Sequence, residues 1–315
     1  MATGQSSSNP SFFNFLKEGL VLPTHNRRLF AAVFAIIVAS TSLLLLSNDL
    51  AVQPLVDEIH MDTKALNSTD PSSPDFLRLL QEIQQDTRDL LITSAVFLLV
   101  TLIVGSAIRI VALFAAVATY SSDMHTLASL LGKAKAQLKG PVLTLAFVYA
   151  LEIAYLALVA AMAGLLAFLM INKYFALFFV GSLLLVLAFI FLIYFSFVCS
   201  LGVVVAVAEP GCHGAGAVGR AWRVMKGKRW RAMLFISVTV VLAAALWPVH
   251  ALAKTYALSN MASGLLLEFL YTILMAAVDL FAVCTMTAFY YECNGSTEAS
   301  APQYIKVSTK EQIDA

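Results

Sequence analysis

Apolar residues run in six long blocks along the chain, and short polar segments separate them. The blocks cover residues 29–46, 90–120, 141–171, 174–208, 232–256 and 261–291. A helix needs about 20 consecutive apolar residues to cross a bilayer, so each block reads as a span. The longer ones must tilt or project beyond the lipid. Pro248 predicts a kink in the fifth. Between the blocks the pattern changes to helical spacing on one face only. In residues 12–22, Phe12, Phe13, Phe15, Leu16, Leu20 and Val21 surround Lys17 and Glu18, which predicts a short interfacial helix stopped at Pro23. In residues 209–231 a Pro-Gly breaker and further glycines precede Val218, Ala221, Trp222 and Met225 at helical spacing. Arg220, Arg223 and Lys226 hold the other side, and Lys228, Arg229 and Arg231 follow. A basic amphipathic segment between two spans belongs at the cytosolic lipid surface. The expected fold is all-α: a polytopic membrane bundle of six transmembrane helices plus cytosolic interfacial amphipathic helices.

This pattern divides the chain into three parts. Residues 1–28 read as a disordered N-terminus and the short interfacial helix. Residues 29–291 form the transmembrane domain, with a hydrophilic insert at 49–89. Residues 292–315 read as a flexible cytosolic tail. Within the insert, Ser73 caps, Pro74 opens, and Phe76, Leu79, Leu80, Ile83, Thr87 and Leu90 keep helical spacing. The second span therefore begins as a helix well outside the lipid. Asn67-Ser68-Thr69 is a glycosylation acceptor.

Composition agrees with a membrane class. The 315 residues are 60% hydrophobic and 12% charged, against about 25% charged in soluble domains. The net charge of +1 hides a segregation of charge by position. Fourteen Lys and Arg lie in the N-terminal segment, the second loop, the fourth loop and the tail, and five lie on the opposite side. The positive-inside rule then puts both termini in the cytosol and the acidic insert in the lumen or exterior. The membrane is that of the endoplasmic reticulum and secretory pathway or the plasma membrane. Cys199, Cys212, Cys284 and Cys293 have no C-x-x-C spacing, and the five histidines form no H-x-x-x-H cluster, so no metal site and no cofactor is expected. Gly211, Gly214, Gly216 and Gly219 have neither the preceding strand nor the following Lys-Ser/Thr of a phosphate loop and read as a flexible hinge.

An internal repeat is visible at an offset of 87 residues. Gly132-Lys-Ala-Lys-Ala-Gln-Leu-Lys-Gly140 aligns with Gly219-Arg-Ala-Trp-Arg-Val-Met-Lys-Gly227, matching Gly, Ala, Lys and Gly. The first block also has an apolar face: Leu127, Leu130, Leu131, Ala134 and Leu138. The repeated unit is span, basic interfacial helix and span. Lys133, Lys135 and Lys139 in the first copy, and Arg220, Arg223, Lys226, Lys228, Arg229 and Arg231 in the second, are the expected contacts to anionic headgroups.

Three short segments carry a resemblance. Thr119-Tyr120-Ser121-Ser122 ends one span before a basic helix, Val207-Ala208-Glu209 ends another, and Lys226-Gly227-Lys228-Arg229-Trp230 closes the second basic helix. In these the chain resembles a group of plant polytopic membrane proteins of unassigned function. It is distantly similar to the membrane domain attached to some bacterial glycerophosphodiester phosphodiesterases. The resemblance implies an architecture and a membrane location and no reaction, because no phosphodiesterase domain is present.

Four ionisable residues fall inside the spans: Arg109, Glu152, Glu268 and Asp279. Such residues are costly in lipid and default to functional hypotheses. Arg109, Glu152 and Asp279 lie 11 or 12 residues from their basic-side span ends. That is about 16–18 Å deep at ~1.5 Å per residue. Three readings stay open: a midplane polar site, a neutralised pair that holds helices in register, or Arg109 snorkelling to the interface. The pair reading predicts that Arg109 approaches Glu152 or Asp279. No nucleophile–base pair or paired acid motif points to an enzyme. The sequence favours a non-enzymatic membrane-organising or partner- and lipid-binding protein whose partners are the bilayer and its anionic headgroups, and no nucleic acid. The alternative is a transporter or channel with a midplane site.

Overall fold

The computed structural model describes residues 13–70, 73–121, 127–259 and 261–311. Residues 1–12, expected to be disordered, lie outside the described residues. Among the described residues every regular element is an α-helix. In chain order they are α1 (Asn14–His25), α2 (Arg27–Ala51), α3 (Gln53–Ser68), α4 (Pro74–Tyr120), α5 (Leu127–Gln137), α6 (Lys139–Ile171), α7 (Phe175–Ala208), α8 (Ala215–Met225), α9 (Arg229–Ser259) and α10 (Met261–Glu311). Six stretches are long and apolar enough to cross a membrane: Arg27–Ser68, Pro74–Tyr120, Lys139–Ile171, Phe175–Ala208, Arg229–Tyr256 and Ala262–Gly295. The fold is an all-α helical bundle, and α4 begins at Pro74 as the capping pattern predicts.

Three boundaries differ from the sequence expectation. α1 runs through Pro23 to His25. The proline falls in the last turn, where the missing N–H interrupts little of the helix, and Thr24 Oγ1 donates to the Val21 carbonyl at 2.7 Å. The insert carries its own helix, α3, none of whose residues is buried. At the other end α10 stays helical to Glu311, where the sequence predicts a flexible tail. Its polar composition and Gly295 and Pro302 hide that helix from a periodicity reading.

The chain divides into two compact units. Unit 1 comprises Met1–Ala32, Ile110–Trp247 and Ala277–Ala315; unit 2 comprises Val33–Arg109 and Pro248–Ala276. In unit 1, α6 and α7 form the most extensive helix pair, and α8 packs against α7. Tyr155 Oη donates to the Ala188 carbonyl across the α6–α7 pair at 3.1 Å. From Phe197 to Val207, α7 is buried at every position but Ser200, so this half of the helix is the post around which unit 1 is built. Phe197 meets Phe235 of α9 at 5.2 Å and Phe289 of α10 at 5.9 Å between ring centroids. Phe15 of α1 meets Phe289 at 5.6 Å. Small residues allow the close approaches. A Cβ on Gly202 would lie 3.2 Å from Val218 Cα of α8, and one on Gly19 would lie 2.6 Å from Thr285 Cα of α10.

In unit 2 the ring of His250 lies 4.8 Å from that of Tyr271. Ser42, Leu45, Leu46, Leu265, Glu268, Phe269 and Thr272 line a small cavity of about 140 Å³. On α4, Arg78 and Glu82 pair at 3.0 Å one turn apart.

Candidate functional site

The last turns of the final span gather the polar ends of unit 1. Tyr290 is almost fully buried, and its hydroxyl donates to Glu209 Oε1 at the end of α7. Glu209 Oε2 accepts Arg220 Nε from α8 at 2.7 Å. Tyr291 stacks on Tyr120 of α4, with centroids 4.3 Å apart and planes 7° from parallel. Glu292 accepts Arg231 of α9 at 2.5 Å, and Lys228 Nζ donates to the Cys293 carbonyl at 3.2 Å. The three segments that carry the resemblance, around Tyr120, Glu209 and Lys228, thus converge on Tyr290-Tyr291-Glu292-Cys293. Sequence reasoning missed this tetrapeptide. Its only signal is an aromatic pair and an acid in the last turn of an apolar run.

The connection before α8 is anchored, which corrects the hinge reading of its glycines. Gly211 and Gly214 have φ of +111° and +57°, which only glycine adopts at little cost. The Gly214 N–H donates to Thr144 Oγ1 at 2.9 Å, and Thr144, itself buried, donates to the Gly140 carbonyl at 2.9 Å. With Glu209 held at one end and Gly214 at the other, the turn is fixed against α6, α8 and α10.

α8 then presents two faces. Ala217, Ala221, Val224 and Met225 are buried. Trp222 is 44% exposed and Trp230 81% exposed, and Arg223, Lys226 and Arg229 are exposed beside them. The sequence set Trp222 with the apolar face. The structure gives that face to α7, and Trp222 meets Tyr194 edge-on at 6.0 Å. Arg220, Lys228 and Arg231 are engaged with Glu209, Cys293 and Glu292, so three of the nine basic residues expected at headgroups hold the fold instead. On α5, Leu130 and Ala134 are buried and Lys135 is exposed; Lys139 at the start of α6 is exposed as well. The Lys133 side chain lies outside the described residues. Shifted by 87 residues, α5 covers 214–224, so it has the length of α8 and starts and ends one residue before it.

The four intramembrane charges separate between the units. Glu152 and Asp279 belong to unit 1, Arg109 and Glu268 to unit 2. Glu152 Oε1 accepts the Ser196 hydroxyl at 2.9 Å. It lies on the wall of an open groove of about 490 Å³ lined chiefly by apolar residues of α6, α7, α9 and α10, with Ser200 and Thr239 as further hydroxyls. Asp279 is exposed and does not line that groove. Glu268 faces Asp49 and Lys254. Arg109 is partly exposed. Asn67 is exposed at the end of α3.

Outside the spans, burial raises the Glu18 carboxyl above its ordinary 4.5, and the nearby Glu292 carboxylate adds to the shift. None of the four cysteines is in a disulfide, and three of them are buried. Among the described residues no group of three or more His, Cys, Asp or Glu is placed to hold a metal ion.

No curated protein and no solved structure matches the chain. A family model described as "Domain of unknown function (DUF8558)" matches residues 9–300. With nearly its whole length matched, the chain belongs to this family, whose function is unknown.

Proposed function

We propose that this is a non-enzymatic integral membrane protein whose basic end docks on the anionic lipids of the cytosolic leaflet. One observation carries the reading. α8 spends its apolar face on α7, yet Trp222, Arg223 and Lys226 at its end and Arg229 and Trp230 at the start of α9 are exposed. Tryptophan beside free cations is the pairing that suits a headgroup layer. The α5 copy adds Lys135 and Lys139, and the match in position between α5 and α8 supports a duplicated unit. The basic end then lies in the cytosol with both termini, and the Asn67 acceptor lies on the other side. Each basic residue near a charged surface contributes about 1 kcal/mol, screened by salt. Replacing Arg223, Lys226 and Arg229 together by Gln should weaken binding of phosphatidylserine to the purified protein at least tenfold at low salt, on that scale. Native mass spectrometry of the detergent-solubilised protein reads this directly; retention of the wild-type lipid adducts would refute the docking surface.

A second reading, a transporter with its site inside the bundle, draws on the groove that reaches Glu152. Transport requires Glu152→Gln to change flux in reconstituted vesicles. Flux of a candidate solute that is the same in wild type and variant removes this carboxylate from any such role. The likeness to plant proteins and to the phosphodiesterase-attached membrane domain is part of the proposal at the level of architecture.

A further inference from the structure

A cavity of about 180 Å³ lies between the two copies of the basic unit. Gln137, Lys139 and Gly140 line it from the α5–α6 junction, Pro210, Gly211 and His213 from the anchored turn before α8, and Phe114, Ala206 and Val207 from α4 and α7. The turn cannot swing away, because Gly214 is bonded to Thr144 and Glu209 is held by Tyr290 and Arg220. Gly140 packs under the imidazole so closely that a Cβ there would overlap the His213 ring. The acid nearest in sequence, Glu209, is already paired with Arg220 and does not line the cavity.

We infer that this cavity is a headgroup pocket for a phosphomonoester, with Lys139 as the cationic donor and His213 and Gln137 as the ring and amide donors. The inference deepens the lipid-docking reading and rests on it. A phosphomonoester carries about −1.5 to −2 charges and three acceptor oxygens, whereas a lipid phosphodiester carries one charge. A lysine, an imidazole and an amide lining one cavity match the former better, because hydrogen bonds to a charged acceptor are about twice as strong as neutral ones. The exposed cations of α8 attract any anionic lipid. The pocket would select among them.

The test uses the purified full-length protein with three probes: dioctanoyl phosphatidylinositol 4-phosphate, dioctanoyl phosphatidylserine and inorganic phosphate. Wild type should bind the phosphomonoester lipid about tenfold more tightly than phosphatidylserine, the order expected from one added charge-assisted contact. His213→Ala should bring the two lipids to equal affinity while phosphatidylserine binding stays as in wild type. Gly140→Ala, which displaces the His213 ring and keeps the imidazole in the chain, should do the same. Inorganic phosphate that competes at the lipid's own affinity would make free phosphate the ligand in place of a headgroup. Equal binding of both lipids by wild type, or a preference that survives both substitutions, overturns the pocket and leaves the docking surface standing. Failure of wild type to bind either lipid would overturn both.

Discussion

Glu18 shows how a single residue of the basic end reports on its surroundings. It sits on α1, partly covered, with the Glu292 carboxylate near it. Its folded pKa is raised, so the charged form is disfavoured in the fold. That cost is fully present above the folded pKa, shrinks as pH falls through it, and is absent below the ordinary value of 4.5. Glu18→Gln should therefore raise the thermal midpoint of the detergent-solubilised protein at neutral pH, and the gain should vanish as the pH approaches about 4.5. A gain that is constant with pH would assign the effect to packing. Neither Glu18 nor Glu292 stood out in the sequence, because their effect depends on α1 crossing α10 at Gly19. Gly19 itself looks like any helical glycine until Thr285 is placed against it. Arg109, Glu152, Glu268 and Asp279 were the opposite case. They were conspicuous by depth, yet depth does not say which helices face one another, and the structure assigns them to two units.

At the scale of the element, α8 separates what periodicity can and cannot tell. Its amphipathic spacing was legible, and so was its basic side. The destination of the apolar face was not, since a lipid surface and a protein groove reward the same pattern. The deciding feature lies in α7, apolar all round near its end and opened by Gly202 where Val218 approaches. Ala221 is completely buried against that surface. Ala221→Leu should lower stability by roughly 1–3 kcal/mol through overpacking. Thermal unfolding of the solubilised variant checks it; an unchanged midpoint would mean that α8 rests on lipid and not on α7. The far end of α10 marks another limit, because a polar helix leaves no apolar period to read.

For the whole molecule, apolar block length alone located all six candidate spans, because no water-soluble core could absorb so much apolar surface. The division into two units was invisible, since four of the long helices contribute to both and no composition shift marks the boundary. The convergence of the chain's basic segments was foreshadowed by the charge count, but its physical centre, Tyr290–Cys293 within α10, was not. That convergence brings the ends of α4 and α7, this segment of α10 and the starts of α6, α8 and α9 to one end of unit 1. Which compartment that end faces decides the proposal. Protease treatment of sealed microsomes, with epitope tags at both termini and a third inside residues 49–89, tests it most directly. The account predicts that the terminal tags are digested from outside and the inserted tag is protected. Protected termini with a digested insert would place the basic end away from the anionic leaflet and contradict it.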